Sequence, residues 1–345
     1  MSRARFALLS CLISAFSPCA LSASTSPVMD WRWIGVKPSS TVDCPKALGS
    51  WTTAGIFKTA PSGYELGDVC TYTFNAGGPV TPGDLVSLQN LVISGDLLEV
   101  ERDIMALGSS GQGVDETLWQ PLANYFLDQA GGGALPTVPG HAPVRLAVLD
   151  THPTAEYLPL NLPANSDHGS TLIAMAERLL CSVSSSPGDD CVVQVTSRLA
   201  LPYVTYDPAD PAGSVQDHQF GGYVGTLTDL AVAIQKEVAA WKAGSPDQAL
   251  VLNLSVGWNP EFGGMETNYA DMPLAVRLVF GAIADATCRG AMVVAATGNR
   301  SGGPNAGSGP MLPAAWASRP VPARMACEGS GPLVPPGGNG WFLGN

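Results

Sequence analysis

Residues 144–150 read VRLAVLD, a run that is apolar except for Arg145 and the closing Asp150. Three further short runs have the same character and lie at residues 191–199, 249–256 and 291–296. These runs lack the strict alternation of a half-exposed strand and are typical of strands buried on both faces. We therefore predict that they are strands of one mostly parallel sheet.

Helical patterns fall between these runs. Residues 226–229 read TLTD, which has the spacing of a capping box, and apolar residues then recur at helical spacing as far as Trp241. Pro273 is placed to open a second helix that ends near Gly290, and a third is predicted just after His168. Strands that alternate with helices predict an α/β fold, with the parallel sheet flanked by helices.

The region before residue 140 is less regular. Thr81 to Asp84 opens a predicted short helix over residues 85–91. Residues 96–100 form a predicted strand, which we expect to end at the charged triplet ERD of residues 101–103. Together these elements predict a small N-terminal region that precedes the parallel sheet.

The composition argues against several classes of function. The 345 residues include 17 Lys+Arg and 29 Asp+Glu, for a net charge of −12. Binding to nucleic acid or to an anionic membrane surface needs clustered positive charge, so we expect neither partner. No internal run reaches the roughly 18 apolar residues of a membrane-spanning helix.

The N-terminus has the features of a secretory signal peptide. Arg3 and Arg5 precede an apolar stretch from Phe6 to Phe16, and small residues follow as far as Ala23. A charged start, a short apolar centre and a small-residue cleavage site define such a signal. We predict a signal peptide over residues 1–23 and a secreted protein, either extracellular or periplasmic.

Two of the eight cysteines, Cys11 and Cys19, lie in the predicted signal peptide. An even number of cysteines in a secreted chain indicates disulfide bonds, and the six that remain allow fifteen pairings. We expect pairing between cysteines that are nearest in sequence, because this closes the shortest loops: 44 with 70, 181 with 191, and 288 with 327.

Candidate chemical groups follow the predicted strands. Asp150 ends the first run, His168 opens the next helix, Ser255-Val256-Gly257 ends the third run, and Asn299 follows the fourth. Ligands of such sheets bind outside the carboxyl ends of the strands. Each residue alone is more commonly an ordinary cap, turn or strand end. Their order along one sheet is the informative feature.

This ordered set resembles the subtilisin-like serine proteases, the subtilase family, over about residues 144–326. Asp150 matches the Asp of the Asp-Thr-Gly motif, His168 the His of His-Gly-Thr, and Asn299 the oxyanion-hole Asn. Ser255-Val256-Gly257 matches the substrate-binding strand. The resemblance implies that a serine attacks the peptide carbonyl, that His168 transfers its proton to the leaving amine, and that Asp150 orients His168 and stabilises its cation.

The sequence departs from the family pattern in several places. The interval between Asp150 and His168 is short, and a longer insertion rich in Pro and Gly fills residues 200–225. His152 stands where the family has Gly, Ser170 replaces the usual Thr, and no Gly-Thr-Ser nucleophile motif occurs in the chain. We therefore expect the N-terminal portion of a subtilase, with an incomplete catalytic domain that has no activity alone. The alternative is a catalytically inactive homologue that acts as a peptide-binding module.

The resemblance also implies an organisation and partners. After the signal peptide it implies a propeptide or other N-terminal extension over residues 24–110 and a partial catalytic domain over 111–345. Residues 98–103, LEVERD, are loosely like the end of subtilase propeptides, which implies cleavage near residues 104–115; a non-inhibitory extension is the alternative. The expected substrate is a polypeptide, the expected state a monomer, and the chemistry requires no cofactor. Calcium is common in the family, but no ligand cluster assigns a metal site.

Overall fold

The computed structural model describes residues 28–38, 41, 43–55, 69–75, 80–108, 144–151, 169, 172–173, 176–177, 193–201, 203–204, 223–244, 248–267, 269–298, 310–318 and 342–344. The predicted signal peptide, His168 and Asn299 lie outside these residues. So do three of the cysteines with predicted partners, at positions 181, 191 and 327.

The N-terminal region forms an antiparallel sheet with one helix. Its elements are β1 (Val28–Val36), β2 (Trp51–Gly55), β3 (Val69–Phe74), helix α1 (Pro82–Ser94) and β4 (Glu99–Gly108). Within this region the strand order is β2-β3-β1-β4, and every neighbouring pair is antiparallel. The sheet continues beyond β4 into strands that come after residue 143. The predicted short helix is confirmed as α1, whose N-cap Thr81 forms a capping box with Asp84.

The region after residue 143 contains the remaining strands and the two long helices. The strands are β5 (Val144–Asp150), β6 (Val193–Leu199), β7 (Tyr203–Val204), β8 (Tyr223–Thr226), β9 (Ala249–Leu254), β10 (Val256–Gly257), β11 (Met292–Ala295) and β12 (Phe342–Gly344); the helices are α2 (Leu227–Ala243) and α3 (Leu274–Cys288). Short 3-10 turns lie at Pro260–Phe262, Tyr269–Asp271 and Ala314–Ser318.

A parallel sheet is the centre of this second region. Its order is β12-β11-β9-β5-β6, and each neighbouring pair of strands is parallel. In the central strand β9, Leu250, Leu252 and Leu254 are almost completely buried. The predicted α/β fold with a parallel sheet flanked by helices is therefore confirmed. The antiparallel sheet is an addition that the sequence patterns did not predict.

The two long helices begin where the sequence predicted. Thr226 caps α2, because its Oγ1 accepts the Asp229 N–H at 3.1 Å while the Asp229 carboxylate accepts the Thr226 N–H at 3.0 Å. Helix α3 follows Pro273, which stands at the N-cap position. A capping box and a proline at the helix start both satisfy or remove N–H groups that the first turn leaves without partners. Residues 169, 172–173 and 176–177 are helical as well.

The antiparallel sheet is covered on both faces. Trp31 and Trp33 of β1 pack with the small core beneath α1, whose buried members are Trp51, Cys70, Tyr72, Phe74, Leu88 and Leu97. The next residues along the strand face the other way, since side chains alternate across a sheet. Ile34 of β1 and Ile104 of β4 thus join the main core, which includes α2 and α3.

We predicted that the strand over residues 96–100 ends at the charged triplet 101–103. This prediction is wrong, because β4 continues through the triplet to Gly108. Each charge in the triplet has a partner. The Glu101 carboxylate accepts the Leu274 N–H at 2.7 Å, the Arg102 guanidinium lies 5.3 Å from the centre of the Trp33 ring, and Asp103 forms an ion pair with Arg32 at 3.5 Å. A strand tolerates buried charges when each one is paired or hydrogen-bonded.

One of the predicted disulfides is present among the described residues, between Cys44 and Cys70. Cys288 is also disulfide-bonded. Within the described ranges, no helix is long and apolar enough to cross a membrane.

Removing side-chain volume from β9 should destabilise the fold. Leu252 is 0% exposed, so Leu252→Ala is expected to lower the free energy of unfolding by about 3 kcal/mol, through lost transfer energy and a cavity. Met292 on the neighbouring strand is 48% exposed, so Met292→Ala is the control and should change that free energy by less than about 0.5 kcal/mol. Urea unfolding followed by tryptophan fluorescence measures both; equal effects would contradict the assigned burial.

Candidate functional site

The carboxyl ends of three parallel strands meet at one edge of the sheet. Leu149 of β5 pairs with Leu254 of β9, which in turn pairs with Ala295 of β11. The residues that follow these strands therefore lie at the same edge. They are Asp150 at the end of β5, Ser255, and the turn at residues 297–298, which directly precedes the candidate Asn299. Asp150 and Ser255 are themselves candidates from the sequence.

Asp150 is completely buried at this edge. Its Oδ1 accepts the N–H of Thr151 at 2.6 Å, and its carbonyl oxygen accepts the N–H of Ala200 at 2.8 Å. The Thr151 hydroxyl oxygen accepts the N–H of Gly169 at 3.1 Å. The structure thus brings the residue after Asp150 into contact with the residue after His168. His168 itself lies outside the described residues.

The predicted substrate-binding segment lies beside Asp150. Ser255 separates β9 from β10, and its Oγ accepts the side-chain N–H of Asn253 at 3.1 Å. Val256 and Gly257 are buried in β10. A Cβ at Gly257 would approach the carbonyl oxygen of Leu312 more closely than 3 Å. This position therefore requires glycine, because two backbone segments meet there.

The turn after β11 is held against the same strands. The Ala296 N–H donates to the carbonyl oxygen of Leu254 at 3.0 Å, and Gly298 adopts a left-handed conformation with φ of 92°. Leu312 and Trp258 exchange two backbone hydrogen bonds of 3.0 Å each. The chain thus turns sharply at Gly298, next to the substrate-binding segment. Asn299 follows this turn and lies outside the described residues.

The end of β4 lies between β8 and β10. Met105, Ala106 and Leu107 pair antiparallel with Thr226, Gly225 and Val224 of β8, in that order. On the other side, Leu107 and Gly108 pair antiparallel with Gly257 and Val256 of β10. Residues 105–108 therefore form an extended segment between β8 and β10, in which Leu107 has a partner strand on each side. We call the space between β8 and β10 the cleft.

The sequence analysis did not predict β8, which forms one wall of the cleft. This strand is short, and it follows a segment rich in Pro and Gly whose pattern indicates only an insertion. The usable signal was Gly225, which directly precedes the capping box. A Cβ there would lie within 3 Å of the carbonyl oxygen of Ala200, so the position needs glycine for close backbone approach.

Acidic residues of β4 contact the N-termini of both long helices. The Glu101 carboxylate accepts the Leu274 N–H at the start of α3 at 2.7 Å. The Asp103 carboxylate accepts the Thr228 N–H at the start of α2 at 3.4 Å. The first turn of a helix has N–H groups without intrahelical partners and carries partial positive charge. The two carboxylates therefore stabilise the contact of β4 with both helices, because negative charge interacts favourably with a helix N-terminus.

Burial dominates the electrostatics of these carboxyl groups. It raises the pKa of Asp103 to about 6, although the neighbouring Arg32 guanidinium acts in the opposite direction. Burial also raises the pKa of Glu101, against the lowering effect of the Leu274 N–H. The pKa of Asp229, close to Asp103, is raised for the same reason.

No group of three or more His, Cys, Asp and Glu residues in the described ranges is arranged to hold a metal ion. The described residues therefore do not assign a metal or calcium site.

Comparison with known proteins identifies similar structures but no sequence family. No protein-family profile matches the chain. No curated protein sequence matches it either.

The solved structures that are similar to this chain include two proteases. Fervidolysin from Fervidobacterium pennivorans, a keratinolytic enzyme related to subtilisin, is 16% identical, with a TM-score of 0.41 over 83% of this chain and 42% of its own. The epidermin leader peptide processing serine protease of Staphylococcus aureus is 13% identical, with a TM-score of 0.38 over 78% of this chain and 60% of its own. The chain thus spans less than two thirds of either protein, and its similarity to subtilisin-like proteases is at low sequence identity.

A side chain at Gly257 should disturb the cleft. We expect Gly257→Ala to lower the free energy of unfolding by about 1–3 kcal/mol, because its Cβ would clash with the Leu312 carbonyl oxygen. Hydrogen exchange of the β4 amides 105–108 should also become faster. The control is Gly83→Ala, where the nearest atom to the new Cβ is 3.6 Å away. Unchanged stability and exchange in Gly257→Ala would contradict the close approach of the two backbones.

Proposed function

We propose that the chain is part of the precursor of a secreted subtilisin-like serine endopeptidase, with residues 24–110, which include the described strands and helix of residues 28–108, acting as its propeptide. One observation carries the proposal. The end of β4 lies between β8 and β10 as an extended antiparallel segment, which is how a peptide adds to strand edges. One of the two flanking strands contains Val256 and Gly257, the segment already selected from the sequence as the substrate-binding strand.

The proposed catalytic roles follow from the ends of the parallel strands. Asp150 orients His168, and His168 takes the proton of the attacking serine and delivers it to the leaving amine. The hydrogen bond between Gly169 and Thr151 supports this pairing, because consecutive Cα atoms are only about 3.8 Å apart. The burial of Asp150 supports its role, since a carboxylate shielded from water interacts more strongly with a neighbouring cation.

Asn299 is the proposed donor to the oxyanion. It directly follows Gly298, whose left-handed conformation turns the chain at the edge that carries Asp150. A side-chain amide at such a position can donate to the charge that develops on the carbonyl oxygen of the substrate. No serine of this chain is proposed as the nucleophile, because none stands in a Gly-Thr-Ser motif.

We propose that the protein acts outside the cytoplasm, as a monomer, and that its substrates are polypeptides. The N-terminal sequence has the pattern of a secretory signal. The disulfide between Cys44 and Cys70 is consistent with this setting, because disulfides persist in oxidising compartments. The chemistry needs no cofactor, since serine, histidine and aspartate supply the nucleophile, the base and the orienting group.

The proposal predicts hydrolysis that depends on His168. The secreted product of the whole gene is assayed on casein and on a chromogenic peptide, with and without a serine-directed sulfonyl fluoride. We expect turnover that the reagent abolishes and that His168→Ala lowers by at least about a thousandfold, because the general base is lost. Residues 24–345 alone are expected to hydrolyse neither substrate.

The matched control is His218→Ala, which changes a histidine outside the motifs and should leave kcat/KM within about twofold of the wild type. Hydrolysis that His168→Ala leaves intact would contradict the assigned roles. Saturable peptide binding by the whole product without any hydrolysis would favour the alternative, an inactive homologue that binds peptides.

A further inference from the structure

An ion cluster lies where β1, β4 and α2 meet. It consists of Arg32, Asp103 and Asp229. The Arg32 Nε lies 3.5 Å from the Asp103 Oδ2, and another guanidinium nitrogen of Arg32 lies 3.1 Å from the Asp229 Oδ1. The Asp103 side chain is 0% exposed, and those of Arg32 and Asp229 are 11% and 16% exposed. One guanidinium therefore faces two carboxylates in a site that water scarcely reaches.

The surroundings of the cluster add polar partners. The Asp103 Oδ1 accepts the N–H groups of Ile104 at 2.9 Å and Thr228 at 3.4 Å. The Asp229 carboxylate accepts the Thr226 N–H and hydroxyl at 3.0 and 2.9 Å. In the described part of the chain, the charged groups that act on Asp103 are Arg32 from β1 and Asp229 from α2.

Other charged residues of the interface have partners elsewhere. Arg277 of α3 pairs with Glu99 at 2.6 Å, and Glu101 accepts the N–H of Leu274. Arg102 lies over the ring of Trp33, on the opposite face of β4 from Asp103. The cluster consequently buries one negative charge more than it buries positive charge.

We propose that this cluster makes the insertion of β4 into the cleft, which we call seating, dependent on pH. The propeptide is then bound more tightly in acid and less tightly as the pH rises to neutral. The proposal rests on the proposed function, because it concerns release of the segment that fills the cleft. The reason is the position of the three charged groups, which come from both regions. Residues 28–108 contribute Arg32 and Asp103, the second region contributes Asp229, and separating the two regions would expose all three groups to water.

The direction of the effect follows from proton linkage. Burial raises the pKa of Asp103 to about 6 in the seated state, whereas an aspartate in water has a pKa of about 3.9. Seating therefore takes up a proton near pH 5. The stabilisation is fully present below the pKa in water and is lost as the pH rises through the pKa of the seated state. A single carboxyl group with these values strengthens seating about tenfold at pH 5 relative to pH 7.5.

Hydrogen exchange of the full chain tests this proposal at pH 5.0 and pH 7.5. The readout is the protection factor of the β4 amides 105–107, corrected for the intrinsic exchange rate at each pH. We expect protection at least about tenfold higher at pH 5.0. Amides in the β1–β3 ladder serve as the internal reference, because their hydrogen bonds join strands within residues 28–108 and do not cross to the second region.

Asp103→Asn is the decisive variant, because it keeps the acceptor oxygen and the side-chain shape but cannot ionise. The ratio of β4 protection between the two pH values should fall about tenfold from its wild-type value, and any ratio that remains comes from Glu101 and Asp229, whose pKa values burial also raises. Asp96→Asn, which changes an exposed aspartate that accepts the Ser94 hydroxyl, is the matched control and should keep the full ratio. If Asp103→Asn does not fold, the ratio of β4 protection between pH 5.0 and pH 7.5 in the wild-type chain still tests the proposal.

The outcomes separate the proposal from the function on which it rests. Strong protection of β4 that is equal at both pH values, or higher at pH 7.5, would overturn proton-linked seating and leave the proposed protease precursor standing. A ratio that Asp103→Asn retains would likewise overturn it. Unprotected β4 amides at both pH values would overturn the seating itself, and with it the proposed propeptide role.

Discussion

Backbone hydrogen bonds from β4 run to three other strands, and the arrangement of the molecule depends on them. Along its first part β4 pairs with β1, inside the antiparallel sheet. At its end it pairs with β8 and β10, which belong to the region built around the parallel sheet. An unpaired strand edge leaves N–H and C=O groups without partners. Because β4 pairs with both β8 and β10, the antiparallel sheet extends from the N-terminal region into strands of the second region.

Paired charges accompany this backbone interaction. Only 13% of residues are charged, yet several of those charges are buried together. Glu237 of α2 is 0% exposed and accepts hydrogen bonds from Arg145 at 2.6 Å and Arg198 at 3.0 Å, which connects α2 to β5 and β6. Removing one partner of such a pair is costly, because it leaves an unpaired charge in a medium of low dielectric constant. Buried ion pairs therefore join α2 to the parallel sheet through Glu237 and to β1 through Arg32 and Asp229.

Sequence patterns predicted the elements of the second region well and the contacts of the N-terminal region poorly. The strands β5, β6, β9 and β11 and the starts of α2 and α3 are local features, read from apolar runs, a capping box and a proline. The triplet at residues 101–103 seemed by local rules to end a strand, since charge is depleted in buried strands. Its partners Leu274, Arg32 and Trp33 come from other elements, so no local rule could have found them.

Local sequence patterns were enough to predict β5, β6, β9 and β11, helices α2 and α3, and the candidate residues at the carboxyl edge, among them Asp150 and Ser255. Burial on both faces and helix capping act within a few residues, and they leave a readable pattern. The position of residues 105–108 between β8 and β10, in contrast, is visible only in the folded molecule. The hydrogen bonds from Thr228 to Asp103 and from Leu274 to Glu101 span 125 and 173 residues of chain. Such contacts depend on which surfaces the folded elements bring together, and this information is spread over the whole chain.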